Sequence, residues 1–117
     1  MKSLNKVYLK GNLGADPQIT DKEGRRFGKL NVATNKSYQD KTTGEYKQNT
    51  QWHGIRVFNE SLLDKVFTTL KKGDAVFIEG ELRSYETKDK EETHFRVTEI
   101  VIGYDGDLVK IHKEEAV

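Results

Sequence analysis

The chain has no cysteine, so it can form neither a disulfide nor a thiolate metal site, and it suits a reducing compartment. Apolar runs such as Ala75–Ile78 are far too short to cross a bilayer. Between Met1 and Leu13 the apolar residues are interrupted by Lys2, Lys6 and Lys10, without the continuous apolar core of a signal peptide. A soluble cytoplasmic protein is expected. Histidine is scarce, and His53, His94 and His112 lie far apart without metal-ligand spacing. No Walker lysine motif is present, and Glu91-Glu92 and Glu114-Glu115 sit in hydrophilic surroundings. No enzyme, catalytic residue, metal or cofactor is expected. Gly11-Asn12-Leu13-Gly14 has the spacing of a KH clamp, but it interrupts a strand pattern instead of joining helices.

The 117 residues are 34% hydrophobic and 33% charged, which suits one rather polar domain and not a disordered chain. Net charge is only +1, yet it is unevenly spread. Residues 1–47 hold ten Lys/Arg against five Asp/Glu, and residues 48–117 hold ten against fourteen. Such asymmetry permits a basic groove on a nearly neutral molecule.

Period-two patterning recurs along the chain. Val7, Leu9 and Leu13 mark a first strand, with a bend expected at Gly11 and Gly14 and an end at Pro17. A second strand is expected from Phe27 to Thr34, after the turn signal Asp21-Lys22-Glu23-Gly24, and a polar loop from Tyr38 to Tyr46. A third strand follows at 50–58. Leu62, Leu63, Val66, Phe67 and Leu70 then fall on one helical stripe, predicting a helix over 60–72 with Asn59 as N-cap and Gly73 as stop. Val76 to Tyr85 and Phe95 to Ile102 complete five strands. The order predicts an all-β fold with one helix: an OB-fold, a five-stranded Greek-key barrel with its helix between strands three and four. Residues 1–112 form the expected domain, and 113–117 a short C-terminal end.

The third strand carries the sharpest functional signal. Ile55 and Val57 point one way, while Trp52, Arg56 and Phe58 point the other across the small Gly54. Flat rings beside a cation suit base stacking with phosphate neutralisation, as unpaired nucleic acid requires. A second buried face at a subunit contact is the alternative. In an OB-fold this strand and the 38–47 loop lie on the oligonucleotide- or oligosaccharide-binding surface, which favours the nucleic-acid reading.

Several motifs carry a resemblance. Asn5-Lys6-Val7-x-Leu9-x-Gly11-Asn12-Leu13-Gly14-x-Asp16-Pro17 opens it, followed by Ala33-Thr34, Thr43-Gly44-Glu45, Gln51-Trp52-His53 and Phe58. Lys72-Gly73-Asp74-x-Val76-Phe77-Ile78-Glu79-Gly80-x-Leu82-Arg83 and Thr98-Glu99-Ile100-Val101 complete it. Together, over about residues 4–102, they resemble the bacterial-type single-stranded DNA-binding proteins.

That resemblance implies sequence-independent binding of single-stranded DNA in replication, recombination and repair, by a nucleoid-associated homotetramer. Tyr38, Trp52 and Phe58 correspond to base-stacking positions. The fourth falls on Thr87, which has no ring, so Tyr85, two residues earlier on the same face, is expected to replace it. Lys6, Lys36, Lys41, Lys47, Arg56, Lys72 and Arg83 are the phosphate candidates, while Gly54 and Glu60 stand where the family commonly has cations. His53 corresponds to a position near a subunit contact. The family's Gly/Pro-rich linker and acidic tip with a terminal phenylalanine have no match in Lys113-Glu114-Glu115-Ala116-Val117, so recruitment of replication and repair proteins through such a tip is not expected. The competing reading is a primosomal OB-fold adaptor acting mainly through protein contacts.

Overall fold

A computed structural model describes residues 1–112; the expectation for the C-terminal end falls outside them. Among the described residues seven strands form: β1 (Val7–Leu13), β2 (Gln18–Lys22), β3 (Arg25–Gln39), β4 (Tyr46–Val57), β5 (Ala75–Lys88), β6 (His94–Ile102) and β7 (Asp107–Ile111). One helix, α1 (Glu60–Lys65), separates β4 from β5.

Strand pairing runs in a ring. β1 pairs with β3, β3 with β4, β4 with β6, β6 with β5, and β5 again with β1. Only the β4–β6 contact among these is parallel. β1 serves two partners because it passes from β5 to β3 near its end: Val7 to Asn12 pair with β5, whereas Asn12 and Leu13 pair with β3. These five strands and the helix position give the OB-fold expected from sequence. Inside the ring, Leu30, Val32, Ile55, Val57, Val76, Ile78 and Ile102 are buried. Leu63, Phe67 and Leu70 close one end of that core.

Two strands were not anticipated. β2 folds back on β3 through the two-residue turn Glu23-Gly24, with φ of 54° and 76°. Two consecutive positive φ values define the type I′ geometry that matches strand twist, and glycine accepts it without steric cost. The sequence showed the turn but not its preceding strand, because β2 is mostly exposed. β7 adds to the free edge of β5 and contributes buried Leu108.

The helix is shorter than predicted. The Asn59 side chain accepts from the Leu62 N–H at 3.2 Å and caps it, yet α-geometry ends at Lys65 and a 3-10 turn follows at Phe67–Thr69. Val66, Thr68 and Thr69 are β-branched, and both threonine hydroxyls donate back to carbonyls, of Asp64 and Val66. The tighter turn still aligns Phe67 and Leu70, because residues three apart eclipse in a 3-10 helix. The apolar stripe therefore survives the change of helix type.

The 38–46 segment is also more ordered than a loop. β3 and β4 remain paired to Gln39 and Tyr46, leaving residues 40–45 as the turn. Asp40 organises that turn: its carboxylate accepts from the Thr42 N–H at 2.8 Å and pairs with the Lys47 ammonium at 3.0 Å. Residues 35–39 and 46–52 are all exposed, so the hairpin arm has no buried face to reveal it as strand.

Candidate nucleic-acid interface

The β3–β4 register continues without a slip from Gly28–Val57 to Gln39–Tyr46. Alternation therefore sends Leu30, Val32, Ile55 and Val57 inward. Lys29, Asn31 and Ala33 face outward with Trp52, Gly54 and Arg56. The β4–β6 and β6–β5 pairings extend this outer face to Glu99, Val97 and Phe95, and then to Tyr85 and Thr87.

Trp52 is 63% exposed. Its indole is braced on one side by the chain at Gly14, where a Cβ would lie 2.2 Å from Cζ3. Glycine at position 14 is what lets ring and backbone approach so closely. A tryptophan held in place yet largely open is a ready stacking surface.

Arg56 sits at the centre of the outer face. Its Nε donates to Glu99 Oε2 at 2.8 Å, and Nη2 donates to the Tyr85 hydroxyl at 3.3 Å. The guanidinium carbon also lies 5.3 Å from the Phe27 ring centre and 6.0 Å from that of Tyr85. Phe27 packs on Phe58 with centroids 5.5 Å apart, and Arg25 lies 5.1 Å from the Phe58 ring. Phe58 thus falls just beyond β4, half-buried among partners of its own. Cations stacked on rings in this way fix the rings and keep positive charge beside them.

The structure does not bring all four stacking candidates onto one surface. Trp52 and Tyr85 share the outer face. Tyr38 is exposed, but it is in phase with Leu30 and Val32 and so lies on the other face of the hairpin arm. Two exposed rings on the outer face were missed. Tyr46, six residues before Trp52 on β4, is 79% exposed; Phe95, directly opposite Thr87, is 45% exposed. Period-two counting from Trp52 and from Glu99 would have found both. From sequence Tyr46 falls at the end of a polar loop, and Phe95 opens the expected fifth strand without being assigned to a face.

The basic candidates divide as well. Lys6 bonds Glu79 at 2.6 Å, Lys47 bonds Asp40 and Arg83 bonds Glu81 at 2.6 Å. With Arg56 on Glu99, four candidates already hold carboxylates. The Glu79 hydrogen bond raises the Lys6 pKa above its ordinary value. Lys36, Lys41 and Lys72 make no ion pair among the described residues. Glu60 has a structural use, since with Asp64 it grips Arg26 of β3 and ties α1 to the sheet. His53 is half-buried opposite Val32, with Nε2 2.9 Å from the Thr34 hydroxyl.

Between Trp52 and Arg56 the face sinks into a cleft of about 290 Å³. Gly54 lies in its lining, with Gln18, Lys29, Asn31 and Glu99 around it. Among the described residues no helix is long and apolar enough to cross a membrane, and no acidic or histidine cluster is placed to hold a metal.

Comparison with known proteins gives one consistent result. Residues 4–105 match the model of the single-strand binding protein family. The chain is 38% identical to a single-stranded DNA-binding protein of Rhizobium meliloti over 111 residues, and 39% identical to one of Rickettsia felis over 101. Those alignments cover 93% and 86% of this chain but 64% and 66% of the relatives, so the chain spans a little under two thirds of their length. A Plasmodium falciparum SSB solved in complex with ssDNA superposes with a TM-score of 0.83 at 32% identity, covering 96% of this chain and 98% of that one. A deletion mutant of the Thermus aquaticus single-stranded DNA binding protein shares the fold, with a TM-score of 0.74 at 22% identity, over 93% of this chain and 51% of its own.

Proposed function

The chain belongs to the single-strand binding protein family, and on that premise we propose that it coats and protects single-stranded DNA in replication, recombination and repair. The observation that carries this reading is the open indole of Trp52 on a face that continues through Arg56 to Tyr85 and Phe95. A strand laid along that face stacks its bases on the rings, and every base has a π-face, so little sequence preference results. Lysine and arginine displace counterions from the phosphates. Duplex DNA hides its base faces and binds poorly. The protein acts by binding alone, with no bond made or broken.

The stacking set on the outer face is Trp52, Tyr85, Phe95 and Tyr46, with Phe58 as a half-buried support. Tyr38 serves a strand that passes around the arm to its other side. Lys36, Lys41 and Lys72 are the phosphate contacts ready for use, and Lys6, Lys47, Arg56 and Arg83 exchange a carboxylate for a phosphate. Residues 1–112 act as the binding domain of a cytoplasmic, nucleoid-associated homotetramer, with His53 near a subunit contact. An adaptor working only through protein contacts has no use for this row of open rings.

Titration with oligo-dT, followed through the single tryptophan, tests the function. Quenching of Trp52 emission is expected; an unchanged signal at low salt, with no gel shift, overturns it. Light scattering at the protomer mass alone overturns the tetramer.

A further inference from the structure

We propose that the cleft at Gly54 is a nucleobase pocket that favours purines, so that DNA bound here carries a positional preference on top of sequence-independent stacking. The inference rests on the single-stranded DNA reading above and deepens it. Gly54 lies between Trp52 and Arg56 on the outward side of β4, and a Cβ added to it would meet no atom within 4 Å. Any larger residue would rise into the cleft. Its cross-strand partner is Asn31, while Arg56 pairs with Lys29 and Lys29 with Gln18. Three adjacent strands thus converge their polar side chains around one floor.

The chemistry of the lining selects a base over a phosphate. Asp16 and Glu99 balance Lys29 and Arg56 in the lining, so the cleft has no net positive charge to draw a phosphate and suits a neutral ring. Both carboxylates have structural work already: Asp16 accepts the Lys72 N–H at 2.8 Å, and Glu99 holds Arg56. The side-chain amides of Gln18 and Asn31 make no hydrogen bond among the described residues, although both line the cleft. A carboxamide presents a donor and an acceptor side by side, the complement of N6 and N7 of adenine. Lys29 supplies the donor that suits O6 and N7 of guanine. Both patterns use N7, which pyrimidines lack. A volume of about 290 Å³ accommodates one ring system next to the base stacked on Trp52.

The test uses the whole chain and dT oligomers of fixed length, each carrying one dA or dG at a stepped position. Affinity about five-fold above the all-dT oligomer is expected at one register, the lower end for a bidentate base contact. Replacing that purine by its 7-deaza analogue removes the gain. Gly54→Leu, which fills the floor, removes it too, and Asn31→Ala reduces it for dA. Equal affinity at every position, or a gain that survives both 7-deaza substitution and Gly54→Leu, overturns the pocket. Failure to bind oligo-dT at all would instead overturn the functional reading, so the two failures are distinct.

Discussion

Thr87 on β5 stands directly opposite Phe95 on β6, so the two side chains share the outer face at one rung of the ladder. The family resemblance calls for a ring at Thr87, and the chain supplies one across the rung. Phe95 takes part in no ring–ring or ring–cation contact among the described residues, whereas Tyr85 is held by Arg56.

Phe95→Ala is expected to weaken binding of long oligo-dT by about 5- to 150-fold, matching roughly 1–3 kcal/mol per stacked base. Oligomers too short to reach from Trp52 to the end of the β5–β6 arm lose little. Adding Thr87→Phe to Phe95→Ala moves the ring back across the rung and recovers most of the loss. Anisotropy titrations over graded lengths measure all three, and a length-independent loss without rescue argues against a platform.

Trp52→Ala is expected to cost more than Lys36→Ala or Lys41→Ala. On the proposed reading the indole would contribute one stacking contact of about 1–3 kcal/mol and each lysine one phosphate contact. The salt dependence separates the two. A lysine change lowers the slope of log affinity against log salt by about 1, whereas the tryptophan change lowers affinity and leaves the slope intact. Equal losses with equal slope changes would mean that charge dominates.

How much of this was readable in the sequence depended on burial. Leu30, Val32, Ile55 and Val57 alternate with polar residues, and the strands bearing them were found. The arm at 35–39 and 46–51 has two solvated faces, so no periodicity marks it, and Tyr46 was assigned to a loop. β7 escaped because it is five residues long and buries essentially only Leu108. Trp52 and Arg56 were legible as candidate site residues because large rings and a guanidinium on the outward side of a strand contradict the usual polar reverse. Phe95 was not, because it precedes the buried end of β6, and only the register with Thr87 brings it onto the candidate face. The ion pairs of Lys6, Arg56 and Arg83 join distant strands or same-face neighbours, and a count of basic residues conceals them.

The Arg56–Glu99 pair gives a charge prediction. Bound phosphate must draw the guanidinium away from a carboxylate at 2.8 Å, which offsets part of the gain. Glu99→Gln keeps the shape and removes the competing charge. Binding is expected to tighten at low salt, with a steeper salt slope, by up to one further phosphate contact. An unchanged slope would place Arg56 in a supporting role, fixing Tyr85 and Phe27.

The turn of the β3–β4 arm makes a pH prediction. Asp40 has its carboxyl held below the ordinary value of 3.8, first by the Thr42 N–H, then by Lys47 and the Thr43 N–H. A lowered folded-state pKa means that the charged form favours the ordered turn. The contribution is fully present above 3.8 and disappears as pH falls below it, through the folded pKa. At neutral pH, Asp40→Asn is therefore expected to loosen residues 40–45, visible as faster amide exchange at Thr42 and Thr43. On acidification the wild type should converge on the variant. Because the turn sets the spacing of the arm that carries Tyr38 and Tyr46, long oligo-dT should bind the variant more weakly while short oligomers centred on Trp52 do not. Exchange rates that match between the two proteins at neutral pH would show that the backbone ladder alone, through Gln39 and Tyr46, keeps the arm in shape.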